Sequence, residues 1–189
     1  MIAHALASEA ALTGALPVAS PNFDERPPGT EISLIVVHAI SLPPSCFGGD
    51  HVLRFFTNRL DPDEHPYFAG ISRMRVSAHF FIRRDGFLIQ FVSCAHRAWH
   101  AGRSAWQGKA RCNDFSIGIE LEGCDELPFE NAQYDRLDAL TRFILSRYPI
   151  DAIVGHADVS PGRKTDPGAF FDWEHLSWTG KTALQSPLA

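Results

Sequence analysis

The sequence predicts a single-domain α/β protein in which a mixed β-sheet is flanked by helices. Two observations support this fold class. Short, nearly continuous apolar segments rich in β-branched residues are typical of strands covered on both faces, and they alternate with segments of helical periodicity. The 189 residues, 45% of them hydrophobic, suffice for one core of ordinary size. We therefore expect an N-terminal arm over residues 1–30, one folded domain over 31–178 and a C-terminal tail over 179–189.

The first elements are the arm, a strand and a helix. SPNFDERPPGT (20–30) contains three prolines and a glycine, which interrupt helices and sheet ladders, so we expect a surface arm. ISLIVVH (32–38) predicts a buried strand that ends in a histidine. In HVLRFFTNRL (51–60) the apolar residues approximate one helical face and predict a helix.

The later elements follow from hairpin, strand and helix signals. VSAHFFIRRDGFLIQFV (76–92) predicts a β-hairpin, because its Asp-Gly dipeptide suits the positive φ angles of a tight turn. DFSIGIELEG (114–123) alternates apolar residues with Gly and Glu and predicts a strand. Apolar residues recur at three- and four-residue steps over 131–148 and predict a helix, and DAIVGH (151–156) predicts another buried strand. FFDWEHLSW (170–178) predicts a brief terminal helix.

The charge balance argues against a nucleic-acid partner. The chain has 17 basic and 22 acidic residues and a formal net charge of −5, which disfavours binding driven by phosphate attraction. Residues 71–112 differ from the rest, because eight basic residues there oppose the single acid Asp85. Such a segment is either a solvated sheet edge or a site for an anionic ligand.

Cysteine usage and the N-terminus predict a soluble cytoplasmic protein. The four cysteines are widely spaced and form no Cys-x-x-Cys pair, so we expect free thiols in a reducing compartment. The Ala-rich N-terminus lacks a positively charged segment, and Glu9 interrupts its apolar residues, which argues against a signal peptide. No segment approaches the roughly 18 uninterrupted apolar residues of a membrane span. We expect no membrane partner.

Two predicted strands end in histidines, and ligands usually bind at strand ends of open α/β sheets. A lone histidine beside apolar residues is more often a satisfied core residue, but His38 and His156 form a pair. Asp166 lies ten residues after His156 in a loop rich in Pro and Gly, which can return to the strand end. Two neutral imidazoles and one carboxylate hold Zn²⁺ and leave a fourth position for water. The sequence therefore predicts a catalytic zinc site.

A zinc site of this type needs a base and a cation that stabilises the oxyanion. Glu120 and Glu122 both project from the strand predicted over 114–123, and their spacing alone does not choose the base. Lys164 lies two residues before Asp166, where it is either the oxyanion stabiliser or a solvated loop lysine.

Seven ordered segments carry a resemblance to a known family: LIVVHAISLPP, FGGD, DPDEHPYFAGI, RVSAHFFIRRDG, RAWHAG, RCNDFSIGIELEG and GHADVSPGRKTDPG. With them the chain resembles the zinc-dependent N-acetylmuramoyl-L-alanine amidases, which are related to peptidoglycan-recognition proteins, and most closely the members that act in cell-wall recycling. The resemblance implies that His38, His156 and Asp166 are the zinc ligands. It also implies that Glu120, rather than Glu122, is the base and that Lys164 stabilises the oxyanion.

The implied reaction is hydrolysis of the amide between 1,6-anhydro-N-acetylmuramic acid and L-alanine of a small muropeptide. The resemblance implies that Arg75 and Arg111 meet the carboxylates of the peptide and that Trp99 and His100 line the groove. Ala39 stands where typical relatives have Asn, which removes an amide that could bind the substrate. The alternatives are a lytic amidase that acts on intact peptidoglycan and a non-catalytic peptidoglycan-binding module. We expect a monomer.

Overall fold

The central element of the structure is a six-stranded mixed sheet, which confirms the predicted fold class. The computed structural model describes residues 2–177. The strands are β1 (Leu16–Pro17), β2 (Phe23–Asp24), β3 (Leu34–Ile40), β4 (Phe80–Ile82), β5 (Leu88–Gln90), β6 (Arg97–Ala98), β7 (Ala105–Trp106), β8 (Lys109–Ala110), β9 (Ser116–Glu122) and β10 (Ala152–Gly155). The helices are α1 (Ile2–Thr13), α2 (His51–Phe56), α3 (Pro66–Ile71), α4 (Asn131–Leu145) and α5 (His156–Val159), with single 3₁₀ turns at Cys112–Asp114 and Trp173–His175.

The strand order of the sheet is β1-β5-β4-β9-β3-β10. β9 pairs in parallel with both β4 and β3, β3 pairs in parallel with β10, and β4 and β5 form the antiparallel hairpin. Two short antiparallel pairs, β2 with β6 and β7 with β8, lie outside this sheet. Four mutually parallel strands, β4, β9, β3 and β10, are therefore neighbours, and their carboxyl ends lie at the same edge of the sheet.

Helices cover both faces of the sheet. Alternate residues of the strands point to opposite faces, so Ile35 and Val37 of β3 pack in one core cluster with the apolar face of α4. Phe81 and Ile89 of the hairpin pack instead in a second cluster that includes Phe56 of α2. Burial on both faces accounts for the nearly continuous apolar sequence of these strands.

Most predicted elements are present, with shifted ends. The hairpin is confirmed: the Arg83 N–H donates to the Phe87 carbonyl at 3.0 Å, and Gly86 has φ +79°. The first buried strand, however, does not end at His38. β3 continues through Ala39 and Ile40, because these residues also pair with β9. The helix predicted over residues 51–60 is shorter than expected and ends at Phe56.

The predicted N-terminal arm contributes to the sheet and to the interior. β1 pairs in parallel with β5 at the edge of the sheet. The Arg26 guanidinium donates to the backbone carbonyls of Cys94 at 3.0 Å, Asn113 at 3.1 Å, Asp114 at 2.8 Å and Ser116 at 2.8 Å. Burial lowers its pKa to about 10. Side-chain hydrogen bonds of Arg26 therefore fix the end of the arm, in addition to the short pairings of β1 and β2.

The domain boundary at residue 31 stays a prediction, and the predicted tail over 179–189 lies outside the described residues. None of the four cysteines forms a disulfide, as the spacing predicts. Within the part of the chain that the structure describes, no helix combines the length and apolarity needed to cross a membrane.

We predict that Arg26→Met lowers the free energy of unfolding by about 3 kcal/mol, because the substitution leaves several buried carbonyls without a donor. Urea unfolding followed by circular dichroism measures the change. Arg59→Met is the matched control, because Arg59 is exposed and, within residues 2–177, its side chain bonds only to the Thr57 hydroxyl. Equal stability of the two variants would contradict this role of Arg26.

Candidate active site

The strand register places three of the candidate residues side by side. In the parallel ladder of β3 and β9, His38 is the direct partner of Glu120. On the other side of β3, Gly155 of β10 pairs with Val37, so His156 follows one position beyond the ladder. Both histidines are almost fully buried, at 1% and 3% exposure. Neighbouring parallel strands thus bring together residues that are far apart in sequence.

The loop after β10 returns to the strand end, as its sequence predicts. The Ala157 N–H in the first turn of α5 donates to the Asp166 carbonyl at 2.9 Å. Gly155 permits this approach, because a Cβ at this position would lie 2.8 Å from the Cδ of Pro167. The Gly155 N–H in turn donates to the Asp158 carboxylate at 2.7 Å. The carboxylate of Asp166 is therefore held beside the histidines.

His38, His156 and Asp166, hereafter the His-His-Asp triad, direct three atoms at one point. The two Nδ1 atoms are 2.9 Å apart, and the Asp166 Oδ2 lies 3.2 Å from Nδ1 of His38 and 3.0 Å from Nδ1 of His156. Ligand atoms about 2 Å from a tetrahedral zinc ion lie roughly 3.3 Å apart. The triangle of donor atoms fits one face of such a site, and these are ligand types that zinc prefers.

The electrostatic state of the triad also fits a metal. Burial lowers the pKa of His38 to about 4, so its imidazole is neutral at pH 7. Burial alone would raise the pKa of Asp166, but its contacts with His156 and His38 outweigh that effect and lower the pKa below its usual range. Nε2 of His156 lies 3.3 Å from the Ala101 carbonyl, which only accepts. The ring hydrogen of His156 is therefore on Nε2, and the lone pair on its Nδ1 faces His38 and Asp166.

The two candidate glutamates have different environments. The Glu122 carboxylate accepts from the backbone N–H of Gly48 at 2.6 Å and from that of Arg84 at 3.1 Å, which fixes two loops. Glu120 borders the cavity, and its buried Oε2 has no hydrogen-bond partner among the residues that the structure describes. Burial and then repulsion from Asp166 raise the pKa of Glu120 well above its usual value. Of the two, Glu120 is free to exchange a proton with a ligand.

The triad lies at the base of a cavity of about 460 Å³. The exposed residue Lys164 and the half-buried Trp99 line it, as does Ala39. The remaining lining is mixed: apolar and aromatic residues such as Leu42, Phe55, Phe56, Tyr67, Ile71, Met74 and Val76 share it with the polar residues Ser41, Ser45, Ser77, Asp125, Glu126, Arg163 and Thr165. His100 also borders the cavity but is only 9% exposed, and its Nδ1 lies 2.9 Å from Nε2 of His38.

The two predicted carboxylate-binding arginines do not line the cavity. The Arg75 side chain donates to the carbonyls of Arg73 and Met74, and Nε of Arg111 lies 3.2 Å from a carboxylate oxygen of Asp114. Both arginines are exposed. Their role in binding a peptide carboxylate stays a prediction.

Part of the basic segment 71–112 is occupied by structural contacts. Arg97 pairs with Asp24 and Asp114, and Arg84 pairs with Glu130. The charges of Arg84 and Arg97 are therefore largely neutralised by acidic side chains of the protein. These two arginines stabilise the fold and are not available to an anionic ligand.

Comparison with known proteins decides the family. The sequence profile of the N-acetylmuramoyl-L-alanine amidases matches residues 28–169. The chain belongs to this family. The 1,6-anhydro-N-acetylmuramyl-L-alanine amidase AmpD of Haemophilus influenzae is 56% identical over 86% of this chain and 90% of that amidase. AmpD of Citrobacter freundii is 54% identical over 89% of this chain and 91% of its own length.

Solved amidase structures agree with this assignment. A crystal structure of a selenomethionine AmpD derivative has a TM-score of 0.84 at 54% identity and covers 86% of this chain and 92% of that one. AmiD of Escherichia coli, in complex with the substrate anhydro-N-acetylmuramic acid-L-Ala-D-γ-Glu-L-Lys, has a TM-score of 0.57 at 30% identity. The match covers 82% of this chain and 64% of that one. Drosophila PGRP-LB shares the fold, with a TM-score of 0.58 at 21% identity. The match covers 89% of this chain and 98% of that one.

We predict that Glu122→Gln lowers the free energy of unfolding by about 1–3 kcal/mol, because an amide nitrogen cannot accept from a backbone N–H. Glu120→Gln leaves that free energy unchanged or raises it, because Oε2 of Glu120 has no partner to lose. Urea titrations of both variants at pH 7 measure the difference. Equal losses in the two variants would contradict the distinction between the glutamates.

Proposed function

We propose that this amidase hydrolyses the amide bond between 1,6-anhydro-N-acetylmuramic acid and L-alanine of a small muropeptide, in cytoplasmic cell-wall recycling. The identity of 54–56% with AmpD proteins over most of the chain carries the proposal. The complex of the related AmiD with an anhydromuramyl tripeptide supports a small muropeptide as the substrate. We propose that the enzyme acts as a monomer.

In this proposal the His-His-Asp triad would hold a zinc ion. Zinc bound there supplies Lewis-acid chemistry, which activates water and polarises the carbonyl of the scissile amide. The short distances among the three donor atoms and the neutral state of His38 support this assignment. The protein itself orients the ligands through the strand register and the returning loop.

We assign Glu120 as the general acid and base. It takes a proton from the attacking water as the water oxygen bonds to the lactyl carbonyl carbon. It then delivers that proton to the nitrogen of L-alanine as the C–N bond breaks, which releases the carboxylate of the sugar and the free amine of the peptide. The unpartnered Oε2 and the raised pKa of Glu120 support this role, since proton transfer is most efficient when the pKa is close to the working pH.

Lys164 stabilises the negative charge that develops on the carbonyl oxygen of the substrate. Its position in the wall of the cavity, two residues before Asp166, supports this role. Trp99 and His100 line the substrate groove in this proposal, and Arg75 and Arg111 bind stem-peptide carboxylates beyond the cavity. These four residues are assigned by resemblance to the family.

The substrate assignment is tested with the purified, zinc-supplemented protein. It is incubated with an anhydromuramyl tripeptide or with intact peptidoglycan sacculi, and mass spectrometry measures the released peptide. We expect release from the small substrate to be at least about tenfold faster. Equal or faster release from sacculi would favour a lytic amidase. Binding without release from either substrate would favour a non-catalytic module.

We predict that Glu120→Gln retains zinc and loses activity by about 10²-fold or more, because only the proton transfer is removed. Asp166→Ala loses zinc and activity together, because a ligand is missing. Elemental analysis and peptide-release rates measure both quantities. Glu31→Gln, a substitution of an exposed glutamate, is the control. A fully active Glu120→Gln variant would show that another group is the base.

A further inference from the structure

A chain of hydrogen-bonding groups extends from His38 away from the cavity. Nε2 of His38 lies 2.9 Å from Nδ1 of His100, and Nε2 of His100 lies 3.1 Å from the Ser116 hydroxyl. That hydroxyl donates to the Cys112 carbonyl at 2.6 Å. All four residues are at most 9% exposed, so solvent competes little with these contacts.

The order of donors in this chain follows from its last member. A backbone carbonyl only accepts, so the single hydrogen of the Ser116 hydroxyl points at Cys112. The hydroxyl oxygen therefore accepts from Nε2 of His100, which must carry the ring hydrogen. Nδ1 of His100 then has a lone pair and accepts from Nε2 of His38. As a result, Nδ1 of His38 has no hydrogen, and its lone pair points between His156 and Asp166.

The fold makes room for His100 and fixes its backbone. On β9, a Cβ at position 118 would overlap the ring of His100, so glycine is required there for the ring to lie against the strand. The Asn113 Oδ1 accepts from the N–H groups of His100 and Ala101, at 3.2 Å and 2.8 Å. The His100 ring is thus enclosed and held in one orientation. A residue that only lined the groove would not need to be fixed in this way.

We propose that His100 and Ser116 are positioning residues that hold His38 in the tautomer with a free Nδ1 and thereby set the affinity of the triad for its metal. The inference rests on the proposed metal site. It gives His100 a role in ligand orientation in addition to its place at the edge of the cavity. Removal of groups that orient a metal-binding histidine typically costs 10- to 100-fold in metal affinity or activity.

The test compares zinc affinities, measured by competition with a chromogenic chelator. We expect His100→Phe and Ser116→Ala to weaken zinc binding by about 10- to 100-fold. His100→Asn retains most of the affinity, because its amide oxygen can accept from Nε2 of His38. Ser104→Ala is the control: this buried hydroxyl in the same region contacts Gly102 and the Cys112 N–H but not the histidines. We expect it to bind zinc like the unsubstituted protein.

Three results would overturn the proposal. The first is unchanged zinc affinity in Ser116→Ala, a small substitution whose folding is checked by thermal melting. The second is an equal loss in His100→Asn and His100→Phe when both are folded. The third comes from long-range ¹H–¹⁵N NMR of the unsubstituted protein, which reports the ring nitrogen that carries hydrogen. We expect hydrogen on Nε2 of His100, whereas hydrogen on Nδ1 would contradict the donor order.

The NMR result also separates this inference from the proposed function. If the unsubstituted protein bound no zinc, the proposed metal site would fail. The tautomer of His100 is measured without metal, so hydrogen on its Nε2 would still support the donor order, and hydrogen on Nδ1 would still refute it.

Discussion

Parallel pairing of β3 with β9 and β10 is the constraint on which the site depends. Side chains alternate between the two faces of a strand, so a slip of one residue would move every side chain of that strand to the opposite face. The observed register keeps His38 and Glu120 together while Ile35 and Val37 enter the core. The apolar residues that stabilise the sheet therefore also determine the geometry of the polar groups. Packing and chemistry cannot vary independently on these strands.

The site concentrates polar groups in an interior that disfavours them. The donor atoms of the His-His-Asp triad converge within about 3 Å of one another in a buried setting. Glu120 leaves one buried oxygen without a partner among the described residues. Such an arrangement is unfavourable for stability and is maintained by the packing of the surrounding elements. Glu122, two residues away on the same strand, shows the opposite solution, with both oxygens bound to backbone N–H groups.

The sequence predicts those parts of the fold and of the candidate site that depend on local pattern. Strand composition and a Gly- and Pro-rich loop suffice to bring the triad together. The distinction between Glu120 and Glu122 is different, because the partners of Glu122 come from Gly48 and Arg84, whose proximity only the tertiary structure reveals. Arg26 escapes sequence analysis for the same reason. Its partners are backbone carbonyls, which every residue has, so no residue type in the sequence indicates the contact.

The position of Arg26 has a consequence for any attempt to obtain a minimal catalytic fragment. The family profile begins at residue 28, so a fragment cut at that boundary omits this cation. Its guanidinium binds the carbonyls of Asn113, Asp114 and Ser116. Side chains of the same segment contact His100: Asn113 accepts from its backbone N–H, and the Ser116 hydroxyl lies beside its Nε2. Truncation would therefore weaken the structure behind the His-His-Asp triad, although Arg26 itself does not border the cavity.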